Sequence, residues 1–520
     1  MPSTLLELSR NAFESHRTKP AFIEQTPYRS KTFTYQQIEQ GAYRIAAAFQ
    51  KLGIKEGDRV ILWGENSARW AMTFYACLLS RVVAVPLDAS FTEEYVQKIR
   101  NITDALLVCS DQDQQNWNSL LLQSPAGTLA LRNTAEETLV EIIYTSGTTG
   151  EPKGVMITHG NLLANLLPIY KEIQKYKKYT KFFSQFGFVH LIPLSHLFGQ
   201  VMGLFIPQMV GGKVIFADPA PPQVVRAVKS HRASTVICVP HELALIRNSL
   251  ERRTGMHRPA GSPGLQKVQK GIAGILQKWW RYRSEHRIFG WKFWAFIVGG
   301  ASLPKEEERF WSERGFAVIQ GYGLTETAPS VTITHPFKGI VQGSVGKVLP
   351  GLEVKIAEDG EVLVRGPNVS PGYFRNDEAT QAMFKNGWLQ TGDLGRFDEN
   401  GNLLLLGRKK EVIVLADGMN VFPHDVEDVL NRDTRVRESA IVNGGTSEKP
   451  RIHAVLILKD SASNPEEIIR DANSRLLPHQ QVQSSSVWPE KEFPRTSTGK
   501  LKRVAIQQGI AGNLPQESLI

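Results

Sequence analysis

Apolar and polar positions fall into two rhythms over roughly the first two thirds of the chain. Short apolar runs, "RVILWGENS" from Arg59, "VVAVPLD" from Val82, "TVICVP" from Thr235 and "FWAFIVGG" from Phe293, read as buried strands. Longer stretches such as "ARWAMTFYACLLS" from Ala68 read as buried helices. Strands alternating with helices predict doubly wound α/β layers. From Gly346 the texture shifts to "GKVLPGLEVKIAEDGEVLVRGP" and "GRFDENGNLLLLGR", short β runs joined by Asp-Gly and Asn-Gly turns, which predict a small antiparallel, β-barrel-like unit. After Arg408 a third texture, with "DVEDVLN" as helix and "ESAIVNG" and "IHAVLIL" as strands, predicts a compact α+β domain. The expected organisation is a large N-terminal body over 1–407, β-rich from about 346, a junction at 408–410 and a small C-terminal domain over 411–520.

Composition changes little in that picture. A chain of 520 residues, 42% hydrophobic and 22% charged, can bury substantial cores and has room for roughly two to four domains or subdomains. Cys77, Cys109 and Cys238 lie far apart with no metal-like spacing, which favours a reducing compartment. The N-terminus has no basic start followed by an apolar run, and no segment reaches the ~18 apolar residues of a spanning helix. A cytoplasmic location is expected.

Charge changes it more. The formal charge is +10, and between Arg252 and Lys292 ten Lys/Arg face a single acid, Glu285. The same stretch carries Ile272, Ile275, Leu276, Trp279, Trp280 and Trp291. A basic segment with tryptophans suits an anionic membrane, giving peripheral contact at the inner membrane surface. The commoner outcome for such a segment is a solvated helix whose rings pack inward. Nucleic acid is not an expected partner, since no recognised binding motif accompanies the charge.

The clearest chemistry lies in "IIYTSGTTGEPKG", Ile142 to Gly154, with three glycines, four Ser/Thr hydroxyls and Lys153. A β-branched run leads into it and a helical pattern begins near Asn161. Such a loop offers backbone N–H groups, rotatable hydroxyls and a cation to phosphate oxygens. It is not a GxxxxGK[ST] loop, because Lys153 is three residues beyond Gly150 and is followed by Gly154. On this chemistry alone a flexible surface turn remains an equal alternative.

The full string "YTSGTTGEPKG" closely resembles the phosphate-binding signature of the adenylate-forming superfamily of acyl-CoA synthetases, luciferases and peptide-synthetase adenylation domains. Four further motifs follow in that family's order: "LIPLSHLFG" (Leu191 to Gly199), "GYGLTET" (Gly321 to Thr327), "TGD" (Thr391 to Asp393) with "GRKKEVIVLADGMNVFP" (Gly407 to Pro423), and "PRTSTGKLKR" (Pro494 to Arg503). Within the superfamily the chain looks most like long-chain fatty acyl-CoA synthetases.

The resemblance implies a reaction and a site. A carboxylate is joined to the α-phosphate of ATP with loss of pyrophosphate, and the thiol of coenzyme A then displaces AMP. Thr145, Ser146, Gly147, Thr148, Thr149, Gly150 and Lys153 would hold the phosphates. Gly300, Ala301, Gly321, Tyr322 and Gly323 would accommodate the nucleotide, with Tyr322 against adenine and Thr325 near the α-phosphate. Glu326, with Thr145, would hold Mg2+. Asp393 would take the ribose hydroxyls with Arg408 nearby. His196, Gly299 and Gly323 would face the acyl substrate, His196 as a gating contact and not a proton carrier. Lys500, with Thr325 and Glu326, would be catalytic in adenylation, and Lys410 would be the hinge about which the small domain turns between half-reactions.

"LIPLSHLFGQ" contains no acid to hold a substrate ammonium, which favours an apolar carboxylic acid over an amino acid. Two other readings stand beside the CoA ligase. One is a fatty acyl-AMP ligase loading an acyl carrier protein. The other is a non-catalytic acyl or nucleotide sensor, which would be expected to lose Lys500, Glu326 or Asp393; all three are present.

Overall fold

The computed structural model describes residues 2–122, 134–145, 151–180, 185–254, 278–335, 341, 343–415, 419–446, 449–460, 462–496 and 499–510. The chain forms two compact units, one from 1–257, 265–354 and 364–390, the other chiefly from 355–363 and 391–520.

The first unit is built on two sheets. One has strand order Leu107–Ser110, Arg59–Trp63, Val83–Leu87, Leu139–Thr145, Lys153–Thr158; all neighbours are parallel except the last pair. In the other, Ala317–Tyr322, Ala295–Val298, Thr235–Cys238, Gly187–His190, Lys213–Phe216 and Pro20–Gln25 run parallel, and Ser30–Thr34 returns antiparallel at the edge. Because the strands are parallel, the segments that follow Gly187–His190, Ala295–Val298 and Ala317–Tyr322 emerge at one end of the sheet. That end is where open α/β sheets place their ligands.

Local rules account for the elements. The helix Ala68–Ser80 begins where Ser67 accepts a hydrogen bond from the Trp70 N–H at 3.1 Å, and ends at Arg81 in the left-handed region. Its apolar residues wrap the whole helix because it is buried on all sides, with Trp70 stacked on Phe74 at 5.6 Å. A second core gathers Phe289, Phe293, Phe296, Trp311 and Phe316, and the Trp311 indole donates to Glu307 at 2.8 Å so that its polar atom is not stranded. Burying each such ring is worth roughly 1.5–3 kcal/mol.

In the second unit Val436–Asn443 pairs antiparallel with Ile452–Leu458, which pairs parallel with Ser484–Val487. "IHAVLIL" is apolar without alternation because both its faces are covered. Ile452, Ala454 and Leu456 pack with Val426, Leu430 and Ile468, whose helices are Pro423–Leu430 and Pro465–Asn473. Val455 and Ile457 pack with Ile506 and Ile510 of the helix Arg503–Ile510. Among the described residues, no helix is long and apolar enough to cross a membrane.

Candidate active site

Thr145 ends its strand directly opposite Lys153, so the two flank the hydroxyl-rich stretch of the sequence. Ser146, Gly147, Thr148, Thr149 and Gly150 lie outside the described residues. The Lys153 ammonium sits 5.5 Å from the centre of the Tyr373 ring. The Tyr373 hydroxyl donates to Glu326 Oε1 at 2.7 Å. Burial, and then the Glu326 carboxylate, push the Tyr373 phenol well above its ordinary pKa, so it remains a donor. Lys153, Tyr373 and Glu326 therefore form one line from the strand Lys153–Thr158 to the "GYGLTET" turn.

That turn is held from several sides. Thr325–Thr327 forms a single 3₁₀ turn after the strand Ala317–Tyr322, and Glu326 is only 9% exposed. Asn165 Nδ2 and Asn368 Nδ2 both donate to the Thr327 carbonyl, at 3.1 and 2.9 Å, and the Ser330 N–H donates to Asn165 Oδ1 at 2.8 Å. Gly323 is required where it stands, since a Cβ would lie 2.0 Å from the Pro329 carbonyl oxygen. Gly321 and Tyr322 close the strand, pairing with Ile333 and Thr332.

Gly299, Gly300 and Ala301 follow the strand Ala295–Val298. A Cβ on Gly299 would lie 2.7 Å from the Phe198 ring, so this turn packs directly on the "LSHLFG" segment. His196 caps the short helix Leu197–Gln200 and is not among apolar groups alone. Its Nε2 lies 3.4 Å from Asp88 Oδ2, and the sequence stretch without an acid thus acquires one from the loop after Val83–Leu87. Burial favours the neutral Asp88 acid, but the His196 imidazole and hydrogen bonds from Ser90 outweigh it and hold the carboxyl below its usual range. Asn66 clamps the same segment, donating to the Ile192 carbonyl at 2.9 Å and accepting from the Leu194 N–H at 2.7 Å.

One helical turn beyond His196, Gln200 Nε2 donates to Glu141 Oε2 at 2.8 Å. Neither residue is exposed, and burial pushes the Glu141 carboxyl up to about 8 against the Gln200 bond that lowers it.

In the second unit Asp393 and Arg408 are register partners, with Arg408 Nε 2.7 Å from Asp393 Oδ1. The turn before Asp393 is fixed by the Thr391 hydroxyl donating to the Val362 carbonyl at 2.6 Å and by the Gly392 N–H donating to Glu361 at 2.8 Å, with Gly392 at φ +69°. Lys410 lies in the 3₁₀ turn Lys409–Glu411; burial and then Arg408 lower its pKa. Arg503 bridges Glu411 at 3.2 Å and also Glu427, tying that turn to the helix Pro423–Leu430. Lys500 is exposed, in a loop closed by the Thr496 N–H donating to the Lys500 carbonyl at 2.9 Å and by Gly499 at φ +79°.

Sequence reasoning missed Tyr373, Asp88, Asn66, Asn165, Asn368 and the Glu141–Gln200 pair. The only local signals were a buried-strand glutamate in "LVEIIYT" and asparagines in otherwise apolar surroundings.

Residues 8–374 match the AMP-binding enzyme family. The chain is 28% identical over 512 residues to a long-chain-fatty-acid–CoA ligase, FadD15, of Mycobacterium bovis, covering 86% of this chain and 82% of that protein. It is 24% identical to a 2-succinylbenzoate–CoA ligase of Listeria monocytogenes, covering 92% and 95%. The fold is shared with O-succinylbenzoate coenzyme A synthetase of Bacillus subtilis in complex with AMP, at TM-score 0.76 and 24% identity over 98% of both chains. It is shared also with ATP-bound MatB of Rhodopseudomonas palustris, at TM-score 0.79 and 23% identity over 98% of this chain and all of that one. A family match that spans the strands Leu139–Thr145 and Lys153–Thr158, the His196 segment and the Glu326 turn, on a mixed α/β fold of the same kind, makes this chain a member of the AMP-binding enzymes.

Proposed function

We propose that the protein activates a medium- to long-chain fatty acid as its acyl adenylate, using ATP and releasing pyrophosphate, and then passes the acyl group to the thiol of coenzyme A. The observation that carries this reading is the line Lys153, Tyr373, Glu326 at the carboxyl ends of the parallel strands. It offers an ammonium to phosphate oxygens at one end and a carboxylate at the other.

The donor set fits magnesium arriving with a triphosphate. Glu326 has one oxygen taken up by Tyr373, which aims the carboxylate, and magnesium is typically held by one or two carboxylates together with substrate phosphates and water. When bound, the ion supplies neutralisation of phosphate charge. The chain's own part is to orient. Lys153 and Thr145 hold the β- and γ-phosphates, Tyr322 packs against adenine, and Asp393 and Arg408 take the ribose. Lys500 approaches the carboxylate and α-phosphate during adenylation. Residues 408–410 act as a hinge, since one fixed arrangement can hardly serve both a triphosphate and an incoming pantetheine thiol.

A fatty acid is favoured by the apolar run in which His196 stands. Leu194, Leu197, Val201, Met202 and Phe205 are buried apolar neighbours in sequence, and Phe198 covers Gly299. A substrate with a second carboxylate near this point would meet the Asp88 anion.

Pyrophosphate release measured across acetate, medium- and long-chain acids, 2-succinylbenzoate and amino acids, each with and without coenzyme A, tests the proposal. Long unbranched acids should turn over fastest, and coenzyme A should be consumed stoichiometrically. Equal or faster turnover with acetate, 2-succinylbenzoate or an amino acid would remove the fatty-acid assignment.

A further inference from the structure

The tryptophans of the basic stretch divide. Trp279 turns inward, its ring 4.8 Å from His286, whose own ring stacks on Phe316 at 4.3 Å. Trp280 and Trp291 turn outward and are 75% and 61% exposed, among the largest exposed apolar side chains of the described residues.

Backbone bonds from Tyr282 to Lys278, His286 to Tyr282 and Gly290 to His286 carry a helical track through this stretch, including the helix Arg283–Phe289. On this track Trp280, Ser284 and Arg287 follow one another at helical spacing; the helix ends at Gly290, at φ +92°, and Trp291 follows in the turn beyond it. Trp280, Ser284, Arg287 and Trp291 are exposed, as are Arg281 and Arg283 beside them. The opposite face, Glu285, His286 and Phe289, is buried. The acid of the segment is therefore removed from the surface: Glu285 is 1% exposed and its carboxylate lies 3.9 Å from Arg314.

Cations sit over the outward indoles. The Arg283 guanidinium lies 5.3 Å from the Trp280 ring centre, and the Lys292 ammonium 5.7 Å from that of Trp291. An apolar ring topped by a cation is an amphipathic unit suited to a boundary between hydrocarbon and charged headgroups. The neighbouring helices Pro221–His231 and Pro240–Thr254 pack on this helix and add exposed Lys229, Arg252 and Arg253. Glu251, the acid beside the last two, is paired with Arg247.

The position in the sheet fits. Lys292 precedes the strand Ala295–Val298, Arg232 precedes Thr235–Cys238 and Lys213 opens Lys213–Phe216, so all three cations lie at the amino ends of parallel strands. Burial and then the charges of Lys292 and Arg232 lower the Lys213 pKa, a sign of crowded cations that a nearby anion would relieve. The Glu326 turn and Gly299–Ala301 lie at the other end of the same strands.

We propose that the face carrying Trp280, Arg281, Arg283, Arg287 and Trp291 docks on an anionic phospholipid bilayer, with the indoles at the headgroup boundary and the strand ends that bear the candidate site directed away. The protein then belongs to the class that lies on a membrane, not the class that spans one. An acidic protein partner would share the charge complementarity but has no special use for two outward indoles topped by cations.

The test is co-sedimentation of the full chain with phosphatidylglycerol/phosphatidylcholine vesicles and with phosphatidylcholine alone, using the wild type, R281E/R283E/R287E and W280A/W291A. Vesicles with brominated acyl chains provide a second readout through indole quenching. Binding should require the anionic lipid and weaken as salt shortens the screening length from ~10 Å to ~3 Å. Reversing three arginines should weaken it by at least ~100-fold, since each surface cation is worth about fivefold. Quenching by brominated chains should disappear in W280A/W291A, while circular dichroism and vesicle-free pyrophosphate release match the wild type in both variants. Equal binding to neutral vesicles, no binding to anionic ones, or undiminished binding of either variant would overturn the proposal. Capture of an acidic acyl carrier protein by this face, without vesicle binding, would overturn it in favour of a protein-docking surface.

Discussion

Glu141 and Gln200, 59 residues apart in sequence and both sealed from solvent, are joined by a 2.8 Å hydrogen bond from Gln200 Nε2 to Glu141 Oε2. Glu141 belongs to the strand that runs into Thr145, and Gln200 to the helix that begins after His196. The bond thus joins the strand that ends at Thr145 to the segment proposed to face the acyl group. The remaining oxygens, Glu141 Oε1 and Gln200 Oε1, are buried acceptors with no donor among the described residues. A neutral carboxyl is in keeping with burial that pushes Glu141 up to about 8.

This pair should tilt stability against alkaline pH. A carboxyl raised from 4.5 to about 8 by folding contributes fully below pH 4.5, and its contribution is lost as pH rises to about 8, at about 1.4 kcal/mol for each pH unit between those two values. Glu141→Gln keeps the shape without the titration. Its denaturant midpoint should be close to the wild type at about pH 5 and above it at about pH 8.5. Parallel stability–pH curves for the two proteins would count against a neutral Glu141.

Tyr373 aims Glu326, so Tyr373→Phe should impair adenylation while leaving the fold intact. Losing a hydrogen bond to a charged acceptor costs about 1.5–3 kcal/mol, or roughly 10- to 100-fold in rate if the bond is fully used in the transition state. The loss should show in pyrophosphate release and deepen at limiting Mg2+. Unchanged release at every Mg2+ concentration would mean that the tyrosine only packs.

On the roles proposed for them, Lys500 and Lys410 should separate the half-reactions. Lys500→Ala should lower acyl-AMP formation by on the order of 100-fold or more, the cost of one lost transition-state donor, yet convert supplied acyl-AMP to the thioester at a near-normal rate. Lys410→Pro, which restricts the backbone where the hinge is assigned, should retain adenylation and lose thioester formation. Loss of both steps in equal proportion in both variants would end the hinge proposal.

How much of this was legible in the chain depends on the range of the physics involved. "ARWAMTFYACLLS" and "IHAVLIL" became the helix Ala68–Ser80 and the strand Ile452–Leu458 because periodicity and capping act over a few residues. The order of the motifs was equally plain, since each motif is a run of residues adjacent in sequence. What the sequence hid were the pairs made where distant loops meet. His196 read as a histidine among apolar residues until Asp88 arrived from another strand end. Glu326 gained Tyr373 from 47 residues away. Trp279 and Trp280, neighbours in the chain, were parted by the helical track, one laid on His286 and the other turned to solvent. Local pattern decides which residues can share a face. Only packing in three dimensions decides what that face meets, because a buried charge or ring takes its partner from whichever segment the sheet brings within hydrogen-bonding distance.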